Sequence, residues 1–316
     1  AKKCVTSVVV SWFGSVNSLP VANVRTTVTP RGAKPERYLL VSDHSGLHES
    51  IFTWITPRLR QLPWRDTRDP WHVLVSEVML QQTGVNRVLP KWSMFISQFP
   101  TVHECSQAPL GDVLRLWQGL GYPRRAKNLQ AAAQVVVEQH NGIVPNTLDG
   151  LLALPGVGPY TARAVLAFAF EEDAAVVDTN IARVLARFHG QTLKAREAQK
   201  LADEWVPQGE AWLWNQALMD LGATICRPQP LCDECPLQED CAWGGEGVDP
   251  SVGSAGVSVA QAKFEGSDRQ ARGRLIKALG EFPVLLVAIA EVMDRPIDIA
   301  QRLVNNLLDE GLVVRD

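Results

Sequence analysis

Leu154-Pro155-Gly156-Val157-Gly158-Pro159-Tyr160-Thr161 joins two helical stretches, and its reading sets the fold. Upstream, Thr147 to Ala153 reads as a short helix entered through Pro145-Asn146, ordinary helix-start chemistry. Downstream, Thr161-Ala162-Arg163-Ala164-Val165-Leu166-Ala167-Phe168 reads as a buried helix. Two glycines one residue apart let the backbone take conformations closed to other residues and let another chain come close. The amides of such a loop, opening a helix N-terminus, make a positive concavity suited to phosphate. It holds no side chain that reads a base, so a contact here positions a partner without reading its sequence. A lone Gly-x-Gly is more often a plain helix-turn-helix connection. Its meaning comes from the rest of the chain.

The chain has 316 residues, 46% hydrophobic and 21% charged, a soluble globular composition with length for about two domains and an appendage. Ten tryptophans suit large buried cores or base-facing pockets. A net charge of −3 gives no global attraction to nucleic acid. Such contact must rest on local clusters: Arg124-Arg125-Lys127, Arg183 with Arg187, and Lys194 with Arg196. Of six cysteines, Cys4 and Cys105 are isolated, whereas Cys226, Cys232, Cys235 and Cys241 crowd into one short segment. That crowding points to metal ligation in a reducing compartment rather than a disulfide framework. No apolar run reaches the ~18 residues that span a membrane. Lys2-Lys3 followed by Val5 to Val16 imitates a signal peptide, but an exposed thiolate cluster would fare badly after export. The expectation is a cytoplasmic protein.

Residues 1–48 lack periodicity and read as an irregular extension. Helices are expected over 48–62, 70–83, 86–98, 109–118, 124–140, 179–189, 195–206 and 210–222, around the hairpin pair. The body is all-α, a core spanning 49–245. The glycine-rich stretch 246–262 reads as a linker. Beyond it, 263–316 reads as a small winged-helix-like module: helices at 267–280, 285–293 and 296–309, then Gly311–Arg315 as a short strand.

Within 70–83, Glu77 and Gln81 lie one turn apart and can face one cleft. Asp178 sits where a helix begins, and its plain role is an N-cap. Tyr160 at the hairpin helix would ordinarily be core. Four closely spaced cysteines suit zinc or an iron–sulfur cluster, and spacing alone does not choose.

The order of these elements resembles the helix-hairpin-helix DNA glycosylase superfamily and, within it, the adenine DNA glycosylases of the MutY type. The resemblance rests on Leu62-Pro63-Trp64-Arg65, Ser76-Glu77-Val78-Met79-Leu80-Gln81-Gln82-Thr83 and Leu116-Trp117-Gln118-Gly119-Leu120-Gly121-Tyr122. It continues through the hairpin, Val177-Asp178-Thr179-Asn180, and Asn215-Gln216 to Ala223, covering roughly residues 49–243. It implies a helical-barrel part at about 70–185, the six-helix bundle, and a cluster part made of 49–69 with 186–245.

By that resemblance the protein would be a base-excision enzyme that hydrolyses adenine from a mispair with 8-oxoguanine or guanine. Removing a base requires its extrusion into a pocket. Adenine leaves only when its ring is protonated, so a carboxylic acid must stay protonated near neutral pH, which burial provides. Glu77 is the implied donor. Asp178 would stabilise or trap the oxocarbenium-like sugar, as in glycoside hydrolysis. Endonuclease III-type enzymes carry a lysine at the Tyr160 position for Schiff-base chemistry. A phenol cannot form one, so a monofunctional enzyme is expected, with Tyr160 and Asn180 as supports. Arg65, Leu80 and Gln216 would line the adenine pocket, with Gln81 beside them. Gln82, Thr83 and Leu120 would wedge into the duplex and touch the opposite guanine or 8-oxoguanine, with Tyr122 as a further substrate-binding residue. Gly156, Val157 and Gly158 would hold a backbone phosphate. Cys226, Cys232, Cys235 and Cys241 would ligate one four-iron, four-sulfur cluster, although the first gap is five residues where the family usually has six. Bacterial relatives commonly end in a nudix-like β-domain that reads 8-oxoguanine. The mostly helical tail here cannot be one. The partner would be double-stranded DNA with an adenine mispair, met by a monomeric, nucleoid-associated protein. Two other classes stay open, a thymine/uracil mismatch glycosylase and a non-catalytic DNA-binding module with a redox cluster.

Overall fold

The computed structural model describes residues 44–257 and 263–315; most of the expected extension at 1–48 lies outside them. The first helix, α1 (Ser45–Ile55), starts earlier and ends sooner than its expected span. Pro57 accounts for the early stop: Thr56 still takes helical geometry, but the proline has no N–H with which to continue the ladder.

The centre of the fold is α2 (Pro70–Leu80), which buries Trp71 and every residue from Val73 to Met79. Its start is fixed by Pro70 at the first helical position and by the Asp69 carboxylate, which accepts from the amides of Trp71 (2.8 Å) and His72 (3.2 Å). α3 (Val85–Gln98) and α6 (Arg124–Gln139) pack on it, and α4 (Val102–Gln107) and α5 (Leu110–Trp117) pack on α6. Periodicity did not reveal α4, whose six residues are held by a Thr101/Glu104 capping box. The hairpin pair is α7 (Leu148–Leu152) and α8 (Pro159–Ala169), with α8 packed on α2. Then come α9 (Thr179–Phe188), α10 (Ala195–Trp205) and α11 (Ala211–Thr224), and α11 lies along α9. A Cβ at Gly222 would meet the Asn180 carbonyl oxygen at 2.9 Å, so the close crossing of α11 over the start of α9 requires glycine there.

The stretch expected as a linker is docked over its first half. Ser251 and Ser254 are buried, Asp249 pairs with Arg187 at 2.6 Å, and Ser254 Oγ accepts from the Leu193 amide. Beyond it, α12 (Asp268–Leu279), α13 (Ile289–Met293) and α14 (Ile297–Asp309) pack as three helices around Leu275, Met293, Leu303 and Leu307. The expected strand Gly311–Arg315 is turn and irregular chain, and no strand occurs among the described residues. A β-branched pair such as Val313-Val314 becomes strand only beside a partner edge. Among its described residues the tail is a three-helix bundle without a wing.

Candidate active site

Glu77 sits on the buried face of α2 at 5% exposure. Burial pushes its carboxyl up to about 7; the Tyr160 hydrogen bond and Arg65 pull it down, while the Asp178 charge pushes it up. Tyr160, on the first turn of α8, donates its hydroxyl to Glu77 Oε2 at 2.9 Å. Burial and the two nearby carboxylates hold that phenol well above its ordinary value, so it stays protonated.

Asp178 is the N-cap of α9. Its Oδ1 accepts from the amides of Asn180 (2.9 Å) and Ile181 (2.7 Å), and its Oδ2 from the Asn180 side-chain amide (2.9 Å). Burial raises its carboxyl above the ordinary value against these donors and Arg183. Asn215, expected only as part of a motif, fixes the chain leading here. Its side chain accepts from Val176 N and donates to Ala174 O and Ala211 O.

Arg65 and Gln216 are buried and Leu80 is half-buried. The sequence did not reveal Asp220, whose buried carboxylate takes both Arg65 terminal nitrogens at 2.8 and 2.9 Å. Arg60 adds its own Nε at 2.7 Å. Burial alone would raise Asp220, but the two guanidinium groups hold it below its ordinary value. Arg65 is thereby locked, with Nε buried and without an acceptor among the described residues. Gln81 donates to Thr161 Oγ1 at 3.2 Å, tying α2 to α8.

The two expected wedge loops meet on Arg125. One terminal nitrogen donates to the carbonyls of Val78, Met79 and Gln81, at 2.7, 3.0 and 2.6 Å. The other donates to Thr83 Oγ1 and to the carbonyls of Leu120 and Gly121 at 3.0–3.1 Å. Gln82 and Tyr122, one in each loop, both have positive φ, at 54° and 49°. Not all of the expected wedge is presented. Leu120 is 2% exposed and Thr83 8%, so Gln82 and Tyr122 are the residues that face outward.

In the hairpin, Gly156 has φ +77°, as its turn requires. The Val157 amide, expected to bind phosphate, instead donates to Leu154 O at 3.1 Å and closes that turn. The Gly158 amide makes no backbone hydrogen bond among the described residues, and together with the first-turn amides of Tyr160 and Thr161 it forms the open donor set at the start of α8. The basic clusters also divide. Arg124 stays exposed, but Arg125 is the loop clamp and Lys127 donates to Glu310 O at 2.6 Å. Arg183 and Arg187 are buried structural groups, while Lys194 and Arg196 remain on the surface.

Cys226, Cys232, Cys235 and Cys241 line one cavity with Arg187 and Trp243. No three of them, nor any other group of His, Cys, Asp or Glu among the described residues, converge closely enough for a single metal ion. Their surroundings suit a larger anionic group. Arg187 places a nitrogen 3.5 Å from Cys226 Sγ, and a Cβ at Gly245 would lie 2.9 Å from Cys232 Sγ, so only glycine leaves that thiol its space. Arg183 links this segment to the carboxylates, donating to Cys226 O (2.7 Å), Gly222 O (2.7 Å) and Asn180 Oδ1 (2.8 Å).

Residues 75–208 match the family described as "HhH-GPD superfamily base excision DNA repair protein". The adenine DNA glycosylase of Mycobacterium tuberculosis (strain H37Rv) is 41% identical over 278 residues, covering 84% of this chain and 90% of the relative. Among solved structures, a thermostable thymine-DNA glycosylase aligns with TM-score 0.60 and 32% identity, covering 63% of this chain and 94% of the other. A trapped endonuclease III–DNA covalent intermediate aligns with TM-score 0.56 and 27% identity, covering 62% and 92%.

Proposed function

The chain belongs to the adenine DNA glycosylases of base excision repair, hydrolytic N-glycosidases, and from that premise we propose that it releases adenine mispaired with 8-oxoguanine or guanine through Glu77 and Asp178. The observation that carries the proposal is a buried carboxyl held near neutrality, with Tyr160 on one oxygen and a second carboxyl close by.

The extruded adenine would be taken up between Arg65, Leu80 and Gln216, with the Arg65 guanidinium held in place by Asp220. Glu77 gives its proton to the adenine ring, which turns the base into a neutral leaving group. The bond from the sugar C1′ to the base breaks, and its electron pair leaves with adenine. The cationic sugar is stabilised by Asp178, held for this by three donors from the start of α9. Water adds at C1′ and its proton passes to the Glu77 carboxylate, which restores the acid. Tyr160 cannot trap the sugar as a Schiff base, so the strand stays intact at an abasic site. Glu77→Gln tests this assignment: bound mispair duplex with no base release supports it, and adenine release at the wild-type rate contradicts it.

Cys226, Cys232, Cys235 and Cys241 would hold a four-iron, four-sulfur cluster. When bound it cross-links the segment after α11 and adds a redox-active group. The protein is taken to act as a monomer on nucleoid DNA. A second reading, removal of thymine from a guanine mispair, is favoured by the likeness to a thymine-DNA glycosylase.

A further inference from the structure

A groove of about 710 Å³ runs between the loop Gln118–Tyr122 and the C-terminal bundle. Arg87 and Arg124 stand on one wall, and α12 contributes Arg269, Arg272, Arg274 and Lys277 to the other. Asp268 and Glu310 are the only carboxylates lining it among the described residues. Some of this charge is already matched. Arg272 pairs with Glu310 at 2.6 Å and Arg274 with Asp294 at 2.7 Å. Arg87, Arg124 and Lys277 are exposed and have no carboxylate within ion-pair distance among the described residues.

Aromatic rings sit among these cations. Phe264 is 58% exposed and Tyr122 37%, and both line the groove. Arg269 donates to the Tyr122 hydroxyl at 2.8 Å and lies 5.9 Å from its ring centre; the Arg125 guanidinium lies 5.6 Å from the same ring. At the far end of α12, a Cβ on Gly280 would come within 2.9 Å of Gln118 Nε2, so the bundle abuts the loop directly. A chain of net charge −3 thus gathers cations that form no ion pair among the described residues, and outward-facing rings, in one groove beside the loop that carries Tyr122. That combination complements a polyanion with bases attached.

We propose that this groove is a second DNA-contact site, binding the phosphodiester backbone of the strand that passes the Gln118–Tyr122 loop, with α12 of the C-terminal bundle forming one wall of that site. It rests on the glycosylase reading for its ligand. Such contacts set register and orientation and read no sequence. Arg269 couples the bundle to the outward-facing tyrosine, so backbone capture and loop placement occur together.

The test is the salt dependence of binding to a labelled, fully paired duplex, for wild type and Arg124→Ala/Lys277→Ala. Each lost phosphate contact removes about 0.9 from the slope of log K against log salt, so the double variant is expected to be shallower by about 2 and several-fold weaker at low salt. Arg124→Lys/Lys277→Arg, which keeps the charges, is expected to retain the slope. Lys200→Ala, on α10 where Lys200 pairs with Glu204, is the surface control and should leave it unchanged. A double variant of wild-type melting temperature and wild-type slope overturns the proposal, as does an equal loss in the Lys200→Ala control. Binding to paired DNA needs no base release. A wild type that released no adenine would therefore sink the glycosylase reading and leave the slope comparison standing.

Discussion

The Tyr160 hydroxyl donates to Glu77 Oε2 across 2.9 Å, joining the helix opened by the glycine hairpin to the helix at the centre of the fold. The bond makes the hairpin part of the catalytic arrangement as well as a candidate phosphate cradle. It also sets the pH behaviour. In the proposed reaction Glu77 works as a protonated acid, and burial pushes its carboxyl up to about 7. The single-turnover rate is therefore expected to fall tenfold per unit above pH 7, and to fall again at acid pH where the Asp178 carboxylate, itself raised by burial, takes up a proton. The tyrosine hydrogen bond lowers that value, so Tyr160→Phe should move the falling limb to higher pH, by roughly 0.5–1 unit for one hydrogen bond. A limb that stayed in place or moved to lower pH would contradict this role.

The same carboxyl is a stability liability. Its folded-state value is raised, so the folded protein binds the Glu77 proton more tightly than the unfolded chain does. The cost of ionising it in the core is absent at acid pH, grows as pH rises from the unfolded value toward about 7, and is complete above that. A raise of this size corresponds to about 3 kcal/mol before relaxation. Glu77→Gln is expected to stabilise the fold by about 1–3 kcal/mol at pH 9 and to do little at pH 4, read from denaturant midpoints at the two pH values. Equal effects at both would mean that Glu77 ionises freely.

The Arg125 guanidinium is the shared anchor of the two loops proposed to enter the duplex. Arg125→Ala leaves five backbone carbonyls and Thr83 Oγ1 without this donor, and a loss of about 2–3 kcal/mol is expected. Amide exchange should rise at residues 81–83 and 119–121 and not in α10. Unchanged exchange in both loops would show that they hold their shape by other means.

Helices, hairpin and the principal carboxylates were legible in the sequence because each is a local signal. Glu77 lies on an apolar helical repeat, Asp178 at a helix start, and the glycines in a turn. Their meaning came from the order in which they occur. The missed groups act across long separations. Asp220 meets Arg65 155 residues away and Arg125 meets the Val78 carbonyl across 47. No short motif announces that a carboxylate or guanidinium has its partner there. The Val157 amide and the Leu120 side chain were misjudged for a related reason, since a loop's composition does not say which of its groups the turn uses internally.

Arg187 beside the Cys226 thiol is expected to matter to an iron–sulfur cluster at the four cysteines, since its cation and N–H groups face a sulfur. Aerobically purified protein should contain iron and acid-labile sulfide in near-equal amounts. Cys235→Ser should lose both, and Arg187→Ala should lose iron faster under chelator. Stoichiometric zinc without sulfide would replace the cluster with a different centre.

Single-turnover base release from three duplexes, carrying adenine opposite 8-oxoguanine, adenine opposite guanine, and thymine opposite guanine, tests the central claim most directly. Each is run with wild type and Asp178→Asn, and strand breaks are scored before and after alkali. The expected result is adenine release that needs alkali for strand scission and falls by orders of magnitude in the variant, with thymine untouched. Thymine release, or scission without alkali, would contradict the monofunctional adenine assignment.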